Sequence, residues 1–102
     1  MRRVVVRYKV KPDRVDEHLG LIERVFAGLE ETQPEGLRYA SLRLEDGLSF
    51  VHVAFVETRD GSNPLSAQPE FTEFTRDLEA RCDEPPVATD VSVVGAYRLF
   101  EP

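Results

Sequence analysis

Residues Leu37 to Glu57 read LRYASLRLEDGLSFVHVAFVE. Two runs rich in β-forming residues flank Asp46-Gly47, the strongest short-range signal for a hairpin, because both central residues of a type I′ turn need positive φ. Asp tolerates that backbone region, and Gly enters it without steric cost. A two-residue loop sets Glu45 opposite Leu48 and then pairs Arg43 with Phe50, Leu42 with Val51, Ser41 with His52, Tyr39 with Ala54 and Arg38 with Phe55. Side chains alternate across a strand, so this register sorts them into two sets. Ala40, Leu42, Leu44, Val51, Val53 and Phe55, with Arg38 and Ser49 at the ends, read as the core face beneath helices. Tyr39, Ser41, Arg43, Phe50, His52, Ala54 and Val56 form a mixed face, too apolar for water and too polar for an ordinary core. The expectation is that a second surface, another subunit or a ligand, covers it.

Upstream, Arg3 to Lys11 alternate as a strand, with Val4, Val6, Tyr8 and Val10 on one side and Val5, Arg7, Lys9 and Lys11 on the other. Pro12-Asp13 ends it. From Arg14 to Thr32 the apolar period becomes helical through Val15, Leu19, Ile22, Phe26 and Leu29, with Val25 and His18 at the stripe's edge. Asp13 is the expected N-cap, and Gln33-Pro34-Glu35-Gly36 the stop. Downstream, Asn63-Pro64 has the pattern of a cap followed by first-turn proline, and Pro69 opens a second helix running to Cys82. Phe71, Phe74, Leu78 and Cys82 form its apolar side. Pro85-Pro86 closes it, and Asp90 to Phe100 reads as the last strand. The order β-α-β-β-α-β is the ferredoxin-like, α+β plan: a four-stranded antiparallel sheet with both helices on one face, here as a single domain over 1–102. Two helices cover one face, yet the hairpin is apolar on both. The second face is therefore expected to pack on a second copy in a two-fold homodimer.

Composition narrows the function classes. The 102 residues carry a net charge of −6, and the early basic residues alternate along a strand instead of forming a patch, which disfavours nucleic-acid binding. No apolar run nears the roughly 18 residues a membrane helix needs, and no signal peptide is expected before the first strand. The one cysteine, Cys82, excludes an internal disulfide and reads as an inert buried thiol, so the expected location is the reducing cytoplasm.

VVVRYKVKPDRVDEH at the start, SFVHVAFVE in the hairpin, NPLSAQPEFTEF around the second helix and VVGAYRLF near the end together resemble the antibiotic biosynthesis monooxygenase-type domain of the dimeric α/β-barrel superfamily. The resemblance spans essentially the whole chain. It implies a homodimer and either a cofactor-free oxygenase acting on a small aromatic metabolite or another member of this functionally diverse group. Haem-degrading members use a first-strand Asn, a Trp and a helical His, and this chain contains no Trp. Cofactor-free oxygenases line their cleft with Asn, Trp, Tyr and Arg, of which Asn63 matches the Asn, with a helix cap as its competing role.

Read from the residues, His52 with Tyr39 and Arg43 on the mixed face suits binding of a phenolate or enolate: His removes a proton, Arg stabilises the anion and Tyr orients it. The competing reading is a histidine hydrogen-bonded within a dimer interface. His18 can approach Tyr8, whose hydroxyl would orient a ligand, or it can be a partly exposed helix histidine. The two histidines need not meet, and no third ligand completes a metal site. The expectation is a cofactor-free, metal-free monooxygenase-like protein acting on an aromatic or enolisable metabolite. The alternative is a non-catalytic ligand-binding or accessory homodimer.

Overall fold

The first strand decides which side of the sheet the helices cover. In the computed structural model, which describes residues 1–99, β1 (Arg2–Val10) is an inner strand of a four-stranded sheet ordered β2-β3-β1-β4. It pairs antiparallel with β3 (Ser49–Val56), setting Val4 beside Ala54, Val6 beside His52 and Tyr8 beside Phe50. Residues paired across a ladder share a face. The hairpin's mixed face is therefore continuous with Val4, Val6, Tyr8 and Val10, and its other face with Arg3, Val5, Arg7 and Lys9. A row holding three basic residues is costly to bury unpaired. The helices α1 (Val15–Thr32) and α2 (Pro69–Arg76) accordingly cover the first set, and Tyr8, Val10, Phe50, His52, Ala54 and Val56 are all buried.

This inverts the assignment made from the hairpin alone. His52 points among the helices, and the strip holding Leu42, Val51 and Val53 is the helix-free side, where Leu42 is 54% exposed. The pairing itself stands: β2 (Leu37–Arg43) meets β3 with Ser41 opposite His52 and Arg43 opposite Phe50. The connection is not a two-residue type I′ turn, because only Gly47 has positive φ, +74°. Leu44 N–H donates to Ser49 O and Gly47 N–H to Leu44 O, making a four-residue loop, Glu45 to Leu48. Lengthening a loop by two residues preserves parity, so every side chain keeps its partner. The Asp46 carboxylate organises the loop by accepting from Leu48 N–H, Ser49 N–H and the Ser49 hydroxyl, which hold its pKa down to about 2.

Four further expectations are corrected. Pro12–Arg14 is a short 3-10 turn, and α1 begins at Val15 without a side-chain cap, so Asp13 does not cap it. The deepest residues of α1 are Val15, His18 and Val25, which rotates the buried stripe towards His18. The second helix breaks at Asp77 into α2 and a single turn, α3 (Leu78–Arg81). At that break the Phe74 carbonyl accepts from the Arg81 guanidinium at 2.6 Å. The last described strand is not the apolar tail but β4 (Cys82–Asp90), placing Cys82 at a strand start instead of on a helix stripe. β4 is an edge strand, where Pro85 and Pro86 lose no obligatory ladder bond, and its register against β1 shifts beside them. Val91 N–H still donates to Arg3 O, and the chain then leaves the sheet with Val94 fully exposed and Tyr97 82% exposed. Phe100, the expected end of that strand, lies outside the described residues.

Phe50 sits at the centre of the core, 1% exposed, stacked on Tyr8 at 5.6 Å and edge-on to His18 at 4.8 Å between ring centroids. Phe50→Ala is expected to cost about 3–5 kcal/mol, read from the urea midpoint at unchanged slope. A loss below about 1 kcal/mol would contradict this packing.

Candidate active site

β1 and β3 deliver Tyr8 and His52 to the covered face, β2 delivers Tyr39 and Ser41, and the first turns of α1 lower His18 onto them. The result is one buried chain of hydrogen bonds. Tyr39 Oη lies 2.6 Å from His52 Nδ1, and His52 Nε2 lies 2.6 Å from Tyr8 Oη. Tyr8 Oη lies 2.6 Å from His18 Nε2, and Arg81 Nε donates to His18 Nδ1 at 3.2 Å. Ser41 Oγ makes a longer approach of 3.3 Å to His52 Nε2. The two histidines, which the sequence left apart, are bridged by one tyrosine.

Burial sets the protonation states. His18 is 0% and His52 4% exposed. Desolvation pushes both imidazoles down to about 4, helped at His18 by the nearby charge of Arg81. It pushes the phenols of Tyr8 and Tyr39 upward, so both stay protonated. His18 is thus fully buried instead of being a partly exposed helix residue.

A cavity of about 280 Å³ lies against this chain, between the sheet and α2. Val4, Val6, Ala54, Leu65, Phe71 and Phe74 give it an apolar wall, and Tyr8, Tyr39, His52, Asn63, Thr75 and the cationic Arg2 bring polar groups to it. Small-molecule sites have this character, apolar with few convergent polar atoms. Phe26 stacks on the Tyr39 ring at 5.1 Å and fixes its plane.

Of the residues singled out from sequence, Tyr39, His52, Tyr8 and His18 come together. Arg43 does not join them, because its Nε donates to Gly47 O at the hairpin loop. Asn63 does what a cap does: its Oδ1 accepts from Leu65 N–H and Ser66 N–H, while the residue also lines the cavity. Arg81 escaped the sequence reading because a charged residue between Ala80 and Cys82 looks like helix surface. Its spacing was the available signal, since 71, 74, 78 and 81 fall on one stripe.

Arg81 is 1% exposed, and among the described residues no carboxylate pairs with it. Its contacts are the Phe74 carbonyl, His18 and the face of the Phe74 ring at 5.5 Å. Burying an ion costs on the order of several kcal/mol, which these contacts only partly offset.

No protein-family model and no curated protein matches the chain. Solved structures do match in shape. A crystal structure of an antibiotic biosynthesis monooxygenase is 20% identical and superposes with a TM-score of 0.70, covering 93% of this chain and 100% of that one. Rv0793 from Mycobacterium tuberculosis is 18% identical at TM-score 0.68, covering 92% and 95%. SnoaB from Streptomyces nogalater, a cofactor-independent oxygenase, is 21% identical at TM-score 0.67, covering 95% and 96%. By fold, the chain is an antibiotic biosynthesis monooxygenase-like domain.

Between pH 6.5 and 4 the unfolded chain takes up protons at His18 and His52 that the folded chain refuses. Stability is therefore full above pH 6.5 and falls as the pH drops, by on the order of 2–3 kcal/mol per histidine at pH 4. Urea unfolding at stepped pH should show this slope, reduced by about half in His52→Gln. A slope untouched by that substitution would remove His52 from the effect.

Proposed function

We propose that this protein is a cofactor-independent monooxygenase-like enzyme acting on a small aromatic or enolisable metabolite. The observation that carries the reading is the apolar cavity with the Tyr39 hydroxyl, anchored by His52, at its wall. The oxygenase fold of SnoaB supports it. In such a reaction the substrate anion passes an electron to dioxygen. The radicals combine into a C–O bond, the peroxide anion formed takes up the proton that the substrate released, and the resulting CH–OOH centre loses water to leave a carbonyl. The protein's part is to hold the anion, orient it and exclude water.

The geometry changes the task of His52. Both its ring nitrogens are engaged and its basicity is depressed, so it positions Tyr39 instead of taking the substrate's proton. Tyr39 is the residue in contact with the substrate, and Asn63 stands at the cavity rim. A phenol acidic enough to ionise in water needs no protein base.

The helix-free sheet face supports a homodimer. Leu42 and Val87 are 54% and 63% exposed there, and Val5, Val51 and Val53 are only partly covered. A second copy seated on this face would bury that area together with the basic residues of β1 that run through it, Arg7 lying between Val51 and Val87.

Oxygen consumption with a panel of anthrone-like and naphthol-like compounds should reveal turnover in the wild type. Tyr39→Phe is expected to lower kcat by about 100–1000-fold with folding intact, the loss of one donor to a developing oxyanion. Turnover unaffected by Tyr39→Phe would overturn the assignment, and saturable binding without oxygen uptake would favour a ligand-binding protein. Sedimentation at micromolar concentration should give a dimer, and a clean monomer would refute the interface.

A further inference from the structure

We propose that Arg81, a buried guanidinium that does not itself line the cavity, fixes the polarity of the whole hydrogen-bond chain and thereby aims the Tyr39 proton into the cavity, where it favours ligands presenting an anionic or carbonyl oxygen. This deepens the reading of the cavity as a substrate site and rests on it.

Proton counting along the chain leads to this. Arginine has donors and no acceptor. Its Nε–H therefore obliges His18 Nδ1 to accept, and a neutral His18 then carries its proton on Nε2. That N–H donates to Tyr8 Oη, which turns the Tyr8 proton towards His52 Nε2. His52 accepts there and carries its own proton on Nδ1, donating to Tyr39 Oη. The Tyr39 proton is the one left over. Among the described residues it has no acceptor, and the cavity is the space beside it. Run in reverse, the chain would end with an N–H of His18 facing an N–H of Arg81. Each donor in the series also polarises the next, strengthening the last.

The placement of Arg81 is otherwise hard to explain. A buried cation with no carboxylate in ion-pair contact among the described residues, Glu17 acting on it only at longer range, is a burden on stability, and an apolar side chain of similar length would fill the space without it. Its charge favours negative charge at the far end of the chain. A phenolate, an enolate or a polarised carbonyl accepts from Tyr39. A neutral hydroxyl offered as donor meets a Tyr39 oxygen that already accepts from His52 and is the weaker match.

Nitrogen-15 NMR of the histidine rings tests the polarity in the wild-type protein at neutral pH, with no ligand and no activity needed. The expected result is His18 as the Nε2–H form and His52 as the Nδ1–H form. Either histidine in the opposite form overturns the proposal. Arg81→Lys, which keeps a donor, is expected to retain both forms, whereas Arg81→Met should mix them. If Arg81→Met does not fold, the wild-type tautomers and Arg81→Lys decide. 4-Nitrophenol, held where it is half ionised in solution, tests the ligand class. Binding should increase its phenolate absorbance, and a decrease or no binding overturns the oxyanion preference while leaving the tautomers to judge the chain. A wild type with the expected tautomers that consumes no oxygen overturns only the oxygenase reading.

Discussion

The pairing of β1 with β3 is the constraint on which the molecule rests. It joins the first-strand row of Val4, Val6, Tyr8 and Val10, which Arg2 begins, to the hairpin row containing Tyr39, Phe50 and His52, and it leaves Arg3, Arg7 and Lys9 on the opposite side. Once that union is made, the helices have one side to cover. Everything chemical follows from it, because the covered side is where the two histidines and two tyrosines sit. Desolvation there keeps the imidazoles neutral and the phenols protonated.

A core rich in polar atoms needs each of them satisfied, and among the described residues no buried side-chain nitrogen or oxygen lacks a partner. In the proposed polarity the network achieves this in series, His18, Tyr8 and His52 each accepting on one side and donating on the other, while Tyr39 accepts from His52 and turns its proton to the cavity. A series of this kind has two possible directions, and a group that can only donate selects one. Arg81 supplies that group from the turn where α2 breaks, and the same guanidinium takes up the Phe74 carbonyl beside the break. The irregular helix, the buried cation and the tyrosine at the cavity are thus parts of one arrangement.

The fold places this arrangement against an apolar space large enough for a small aromatic molecule, and the resemblance to oxygenase structures is one of shape at low identity. Chemistry that relies on the substrate's own electrons asks little of a protein beyond a dry cavity and a well-held donor. In the proposed reading Tyr39, held by His52, is that donor, and Phe71 and Phe74 wall the cavity.

Much of this was legible in the residues. The hairpin register held to the residue although its loop is longer than expected, because side-chain parity survives the insertion of two residues. The alternation of β1, the long first helix and the βαββαβ order were equally readable, since each rests on local periodicity. The covered face was not readable from the hairpin, whose two sides are both apolar; only the neighbouring strand's charges distinguish them. The last strand was misplaced because VSVVGAYRLF has the stronger β pattern, while CDEPPVATD is the segment that reaches the open edge of β1, where proline is tolerated. Sequence by itself therefore determined the elements and their register, which local alternation specifies. Tertiary structure alone decided which face is buried and that Arg81, His18, Tyr8, His52 and Tyr39 touch, because those contacts join residues up to 63 positions apart that no local period relates.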